Sequence, residues 1–250
     1  MNGFNIWDHA DRYHHWRGRY NPYKRRNKMA WIEALIMMVF FSGLIVTGIA
    51  YVISKAISGV SFNPESAGWK RMLDKLRKQV QNQVVGKLVP WDQEMLSLLS
   101  FNRSVVKKPG FFDESAEGIY TTIFHEPVLA YATQNSSRNS VTVARTSDRE
   151  FIFRRKEKET EIWLNGQPFG LLVDLSLIAA GKSNQVLAQL GKSASDDPQT
   201  MVFIDQSEVA ALANPARKSS PNPRAVSILR TLKPEEENAV LALTVLRMTR

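Results

Sequence analysis

The sequence predicts a single transmembrane helix followed by an amphipathic helix and a mainly β, antiparallel barrel-like domain with a buried C-terminal hydrophobic helix. Three observations carry this. Ala34–Ile53 runs for 20 residues without a charge. From about residue 116 the apolar positions recur with the period of two that belongs to strands. The final segment AVLALTVLRM (239–248) is apolar on nearly every helical face, yet too short to cross a bilayer.

Four regions follow from these signals: a basic aromatic tail (1–28), the transmembrane helix (29–55), a basic amphipathic juxtamembrane helix (56–88) and a mainly β soluble domain with a C-terminal helix (89–250). The formal charge of +9 is divided unevenly among them. Residues 1–28 carry seven Lys/Arg and two Asp, a net of +5, and residues 55–88 carry seven against two, again +5. Glu33 contributes −1, and residues 89–250 balance 19 positive with 19 negative charges. A nucleic-acid binder would place the excess on its folded domain. Here it flanks the hydrophobic helix, which points to membrane lipids and away from nucleic acid. The absence of cysteine excludes disulfides, thiolate metal sites and a Cys nucleophile.

Within the tail, Trp7, Tyr13, Trp16, Tyr20 and Tyr23 suit either a membrane interface or a docking partner. His9, His14 and His15 lie close together without the carboxylates or spacing of a metal site. The apolar run that follows covers roughly the 30 Å hydrocarbon core. Its length, and the lack of a small-x-small cleavage site after it, argue against a signal peptide. Gly43 and Thr47 form a small-xxx-small pair of the kind that lets helices approach closely, a spacing also common by chance. Residues 12–28 hold seven Lys/Arg, whereas the first 20 or so residues after Ile53 hold four. The positive-inside rule then predicts a cytoplasmic N-terminus and a translocated C-terminal domain.

Residues 65–88 place Trp69, Met72, Leu73, Leu76, Val80, Val84 and Leu88 at spacings of three and four, with Lys and Arg opposite. Two arrangements fit this stripe equally: a helix lying along anionic headgroups, or one packed on the domain with its charges in solvent. Pro90 ends the helix, and Asp92 is placed to cap a short turn containing Met95, Leu96 and Leu99.

Nine strands are read from the alternation: IYTTIF (119–124), VLAYAT (128–133), SVTVAR (140–145), EFIFRR (150–155), TEIWLN (160–165), PFGLLV, NQVLAQL, TMVFID and EVAAL. Asn165-Gly166 is a strong hairpin signal, because both residues tolerate positive φ. Arg224–Leu232 reads as helical, and Lys233-Pro234-Glu235-Glu236-Glu237 then starts the final helix with acids at its positive end.

No catalytic, cofactor-binding or metal-binding residue is assigned. Gly181-Lys182-Ser183 and Gly191-Lys192-Ser193 resemble the end of a phosphate loop, but the required upstream glycine is Ser176 or Val186, so both are read as turns. His125 beside Glu126 has the residue types for acid–base work. Adjacent strand positions face opposite ways, which favours a turn role. RRKEKETE (154–161) reads as a solvated hairpin with cross-strand pairs. Asn102-Arg103-Ser104 and Asn135-Ser136-Ser137 match the glycosylation pattern, relevant only in a secretory lumen.

The units WLNGQPFGLLV (163–173) and FIDQSEVAALANP (203–215), followed by AVLALTVLRM, resemble the tubby C-terminal and LURP-one-related superfamily over roughly residues 117–250. That resemblance implies about twelve strands wrapped around a hydrophobic helix, and function by binding lipid or protein. It also implies a cytoplasmic domain, opposite to the charge count, which we prefer for topology. No phosphoinositide-binding pattern maps onto particular residues. The expected function is a non-catalytic, membrane-anchored accessory or scaffold subunit of a membrane protein complex. The alternative is a lipid-interacting protein using the basic helix and barrel-like domain.

Overall fold

The computed structural model describes residues 23–84, 88–109, 114–136, 139–181, 185–194, 197–216 and 223–249. The chain forms two compact units, Met1–Ile53 and Ser54–Arg250.

The first unit is dominated by helix α1 (Tyr23–Ser61), which extends past the unit boundary. Within it Trp31–Tyr51 is long and apolar enough to cross a membrane, and none of it is buried against protein. The hydroxyls of Ser42 and Thr47 donate to the carbonyl oxygens of Val39 and Gly43 at 2.9 and 2.7 Å. Such internal bonds spare a hydroxyl its own partner from solvent, the condition that hydrocarbon imposes.

The second unit begins with α2 (Ala67–Gln83) and α3 (Gln93–Leu98). Ser66 caps α2 by accepting from Trp69 N–H at 3.1 Å. Asp92 caps α3 by accepting from Met95 N–H at 2.9 Å. Twelve strands follow: β1 (Leu99–Pro109), β2 (Glu114–Thr122), β3 (Pro127–Asn135), β4 (Asn139–Arg145), β5 (Glu150–Lys156), β6 (Glu159–Leu164), β7 (Gln167–Val173), β8 (Ser176–Ala179), β9 (Val186–Leu190), β10 (Gln199–Ile204), β11 (Ser207–Ala213) and β12 (Val226–Ile228). Each pairs antiparallel with the next in a single meander. Short connections suffice because antiparallel neighbours need only turns. Asn165 and Gly166 have φ of 50° and 77°, and Asp205 and Gln206 have 48° and 64°, the primed-turn geometry that matches strand twist.

The meander curls until its first and last strands almost meet. Ala225 N–H donates to Leu99 O at 2.7 Å and Phe101 N–H to Pro223 O at 3.1 Å, around a bridge between Ser100 and Arg224. This nearly closes a barrel and removes most of the unpaired edge that an open sheet would expose. Gly118 on β2 lies where strands crowd. A Cβ there would run into the Ser104 carbonyl and come within 3.0 Å of the Tyr131 ring.

Two readings of the sequence are corrected. Among the described residues there are twelve strands rather than nine, and β1, β8 and β12 are the additional ones. Arg224–Leu232 is not helical: its centre is β12, paired with β11 through Ala210–Ile228, Ala211–Ser227 and Leu212–Val226. Sheet closure overrides a local apolar spacing that suited a helix.

The barrel is filled by α4 (Pro234–Met248). Leu241, Leu243, Val245 and Leu246 project in different directions, and all are buried. They join one core with inward residues of the strands, among them Leu129, Phe151, Ile162, Leu177, Val202 and Leu212. A second, smaller core lies between α2 and the sheet. Trp69, Met72, Leu73, Leu76 and Val80 pack with Ala130 and Ala132 of β3, Val141 and Val143 of β4, and Ile152 of β5. The α2 stripe is therefore spent on the domain, while Lys70, Arg71, Lys75 and Lys78 stay exposed.

Candidate functional site

Among the described residues, apolar side chains of α4 and the strands form the core inside the barrel, and polar groups gather at the helix ends. At the N-terminal end Glu236 accepts from Lys233 N–H at 2.8 Å and from both terminal nitrogens of Arg230 at 2.9 Å. The hydrogen bonds from Arg230 lead in holding the Glu236 carboxyl down at about 2. Glu237 accepts from Arg149 at 2.7 Å and from Trp91 Nε1 at 3.0 Å, and the Arg149 guanidinium lies 5.9 Å from the Trp91 ring. These carboxylates sit where the helix dipole favours negative charge.

At the other end Tyr120 donates from its hydroxyl to the Met248 carbonyl and accepts from Arg103 Nη1 at 2.8 Å. Tyr131 stacks on Tyr120 with ring centres 5.2 Å apart. Burial, and next the neighbouring Tyr131, push the Tyr120 hydroxyl well above its ordinary value, so it stays a proton donor. Arg247 donates to Ala213 O at 3.1 Å and Thr200 Oγ1 at 2.9 Å. Both ends are thus ionic or hydrogen-bonded plugs around an apolar rod.

The chemically distinctive feature lies outside the barrel. A cleft of about 440 Å³ is lined by Phe62 and Asn63, which precede α2, and by Asn139, Arg154, Arg155 and Lys156 at the paired ends of β4 and β5. The register sets Asn139 opposite Lys156 and Ser140 opposite Arg155. Arg154 is structural. Its Nη1 donates to Phe62 O at 2.9 Å, its Nη2 pairs with Glu161, and its guanidinium carbon lies 5.9 Å from the rings of both Trp69 and Trp163. This fastens α2 and the segment before it to the sheet. Arg155 also borders a cavity of about 100 Å³ at the barrel rim, beside Leu246 and Thr249 of the α4 terminus. Its Nε is buried and has no hydrogen-bond partner among the described residues.

Sequence reasoning treated residues 154–161 as a solvated hairpin. The cross-strand Arg154–Glu161 pair is there, but Arg154 is bracketed by tryptophans and Arg155 is half-buried. The signal that could have revealed this was the paired occurrence of Trp69 and Trp163 with an arginine that strand pairing brings to the same face.

The remaining sequence candidates fall as follows. His125 is exposed at the β2–β3 corner with φ of 66°, and Glu126 accepts from Thr122 Oγ1 at 3.2 Å, so both build a turn. Gly181 has φ of 70° in the turn after β8, and Gly191 follows β9, donating to Met201 O at 2.8 Å. Lys182 and Ser183, like His9, His14 and His15, lie outside the described residues. Among the described residues no three His, Cys, Asp or Glu converge as metal ligands would. Asn102 and Asn135 of the glycosylation patterns are half-buried in β1 and β3. Comparison with protein-family models, curated proteins and solved structures finds no match to this chain.

Proposed function

We propose that the chain is a single-pass, membrane-anchored and non-catalytic module that acts as an accessory or scaffold subunit of a membrane protein complex. The observation that carries this reading is the occupation of the barrel by its own helix. A barrel packed through the middle offers partners its outer surface and loops rather than a substrate chamber. Trp31–Tyr51 supplies an anchor by length and composition, and the Lys/Arg excess before it favours a translocated domain. The relationship to the tubby and LURP-one-related superfamily is part of the same proposal. Its support is the sequence resemblance together with twelve antiparallel strands around a hydrophobic C-terminal helix.

The alternative, interaction with lipid, draws on one specific observation. With its apolar stripe buried, α2 still exposes Lys70, Arg71, Lys75 and Lys78, with Asp74 the acid among them. Such a face attracts anionic headgroups by charge without inserting into them. Purification of the full chain in mild detergent separates the readings. Stoichiometric protein partners that survive about 0.5 M salt, where the Debye length has fallen to roughly 4 Å, support the scaffold. Recovery of the chain with anionic lipid and no partner refutes it in favour of the alternative.

A further inference from the structure

We propose that the cavity at the barrel rim, beside the end of α4, binds a small carboxylate monoanion. Two buried polar atoms without partners among the described residues carry this inference: Arg155 Nε and Thr160 Oγ1. Thr160 is 1% exposed, and the register sets it directly opposite Arg155 across β5 and β6. Alternation puts both side chains on the α4 side, because Phe153 and Ile162, two residues away on each strand, belong to the core around that helix. The two do not bond each other, although a guanidinium N–H and a hydroxyl oxygen could. A third group that accepts from both removes the cost of holding each donor away from water.

Arg155 borders the cavity, which measures about 100 Å³. At roughly 30 Å³ per water molecule, that is space for an ion of a few heavy atoms. The polar wall continues across the same row of the sheet, through Ser140 opposite Arg155 and Asn135 opposite Ser140. Among the described residues no Asp or Glu lines it, so Arg155 brings a charge that the lining does not balance. Glu114, opposite Asn135 in turn, is exposed and pairs with Lys107 at 3.8 Å. One step deeper, Thr133 and Thr142 satisfy each other through their hydroxyls at 2.8 Å. The helix end is also served by other groups, since the Val245 carbonyl accepts from Thr249 and the Met248 carbonyl from Tyr120 and Arg103. A guanidinium fork matches the two oxygens of a carboxylate. Phe153 and Leu246 add apolar wall for a short alkyl group. The negative end of the α4 dipole lies beside the cavity and penalises a second negative charge, which disfavours phosphate. The site stands independently of the scaffold reading.

The test uses the full chain in phosphatidylcholine nanodiscs, with thermal unfolding and equilibrium dialysis of labelled acetate as readouts. Sodium acetate should raise Tm beyond sodium chloride or sodium phosphate at equal ionic strength. Arg155→Gln should abolish that rise and weaken acetate binding about tenfold or more, the loss expected for a charge-assisted hydrogen bond. Thr160→Val keeps the side-chain shape and removes the orphaned hydroxyl. It should weaken binding about fivefold while leaving Tm without acetate unchanged or higher, a split that a structural hydroxyl would not give. Lys70→Gln/Lys75→Gln on α2 should bind acetate as the unaltered chain does. No rise with acetate overturns the proposal, as does an equal rise with chloride, with phosphate or in Arg155→Gln. If Arg155→Gln fails to fold, Thr160→Val decides: unchanged acetate binding, or a Tm lowered without acetate, overturns the site.

Discussion

Truncating the central helix is the sharpest probe of the fold. Leu241 and Leu243 are 0% and 2% exposed, and at 3.6 residues per turn their side chains point about 160° apart. A helix lying on a surface could not bury both. A helix enclosed by a sheet must. Removing the buried leucine side chain at either position should cost about 2–5 kcal/mol, the sum of lost transfer energy and the cavity left behind. Leu241→Ala belongs near the top of that range, because rigid strands around the mid-barrel have little freedom to collapse. Leu246, at 7% exposure beside the rim cavity, belongs near the bottom. Urea titration of the full chain in mild detergent, followed by circular dichroism, measures the three shifts. A loss below about 0.5 kcal/mol at either Leu241 or Leu243, the size of an ordinary surface change, would refute enclosure of the helix.

Other outcomes follow from the plugs and the apolar helix. Arg149→Ala strands the Glu237 carboxylate, whose side chain is 8% exposed, and should cost about 3–5 kcal/mol in the same titration. Adding Glu237→Gln should recover part of that loss. For Glu236, the folded value of about 2 lies below the ordinary 4.5, so its contribution is present above pH 4.5 and lost as pH falls toward 2. Arg230→Ala should flatten the pH dependence of Tm in that window, and an unchanged slope would remove Arg230 as its cause. Alkaline carbonate should leave the chain in the membrane pellet, whereas release of intact chain would contradict a spanning Trp31–Tyr51. Protease added to sealed right-side-out vesicles should digest the barrel and spare a tag at residue 1. The reverse pattern would invert the topology.

What could be read in advance depended on how strongly each segment's own side chains declared their surroundings. Several of the recognised strands, β6 and β10 among them, alternate buried and more exposed residues because one side faces the core around α4. β1 carries Asn102, Arg103, Ser104, Lys107 and Lys108, so little alternation survives. β8 and β12 have four and three residues, too short to establish a period. The buried α4 was legible because it has no polar stripe. The place of α2 was not, since a stripe of that spacing suits lipid and protein alike. A clue did exist in β3 and β4, where Leu129-Ala130-Tyr131-Ala132 and Val141–Ala144 are buried at successive positions. Strands covered on both sides lose alternation, so something had to lie outside them. The cleft was hidden for a different reason. Charges at a hairpin end look solvated until tertiary packing shows which ones are sealed.

The order in which this domain is made sets a constraint on how it can mature. All twelve strands precede the helix that fills them, and the seam joins residues 100 and 224. A ribosome or translocation channel therefore delivers the shell before its contents. Until α4 emerges, the inward faces of the strands have nothing to cover, and the seam waits on one of the longest-range contacts in the chain. Slow, late closure of this kind leaves apolar surface open to misassociation. Maturation should thus depend on a holding factor in whichever compartment receives the domain, and a chain stopped before Pro234 should be degraded rather than survive as a smaller barrel.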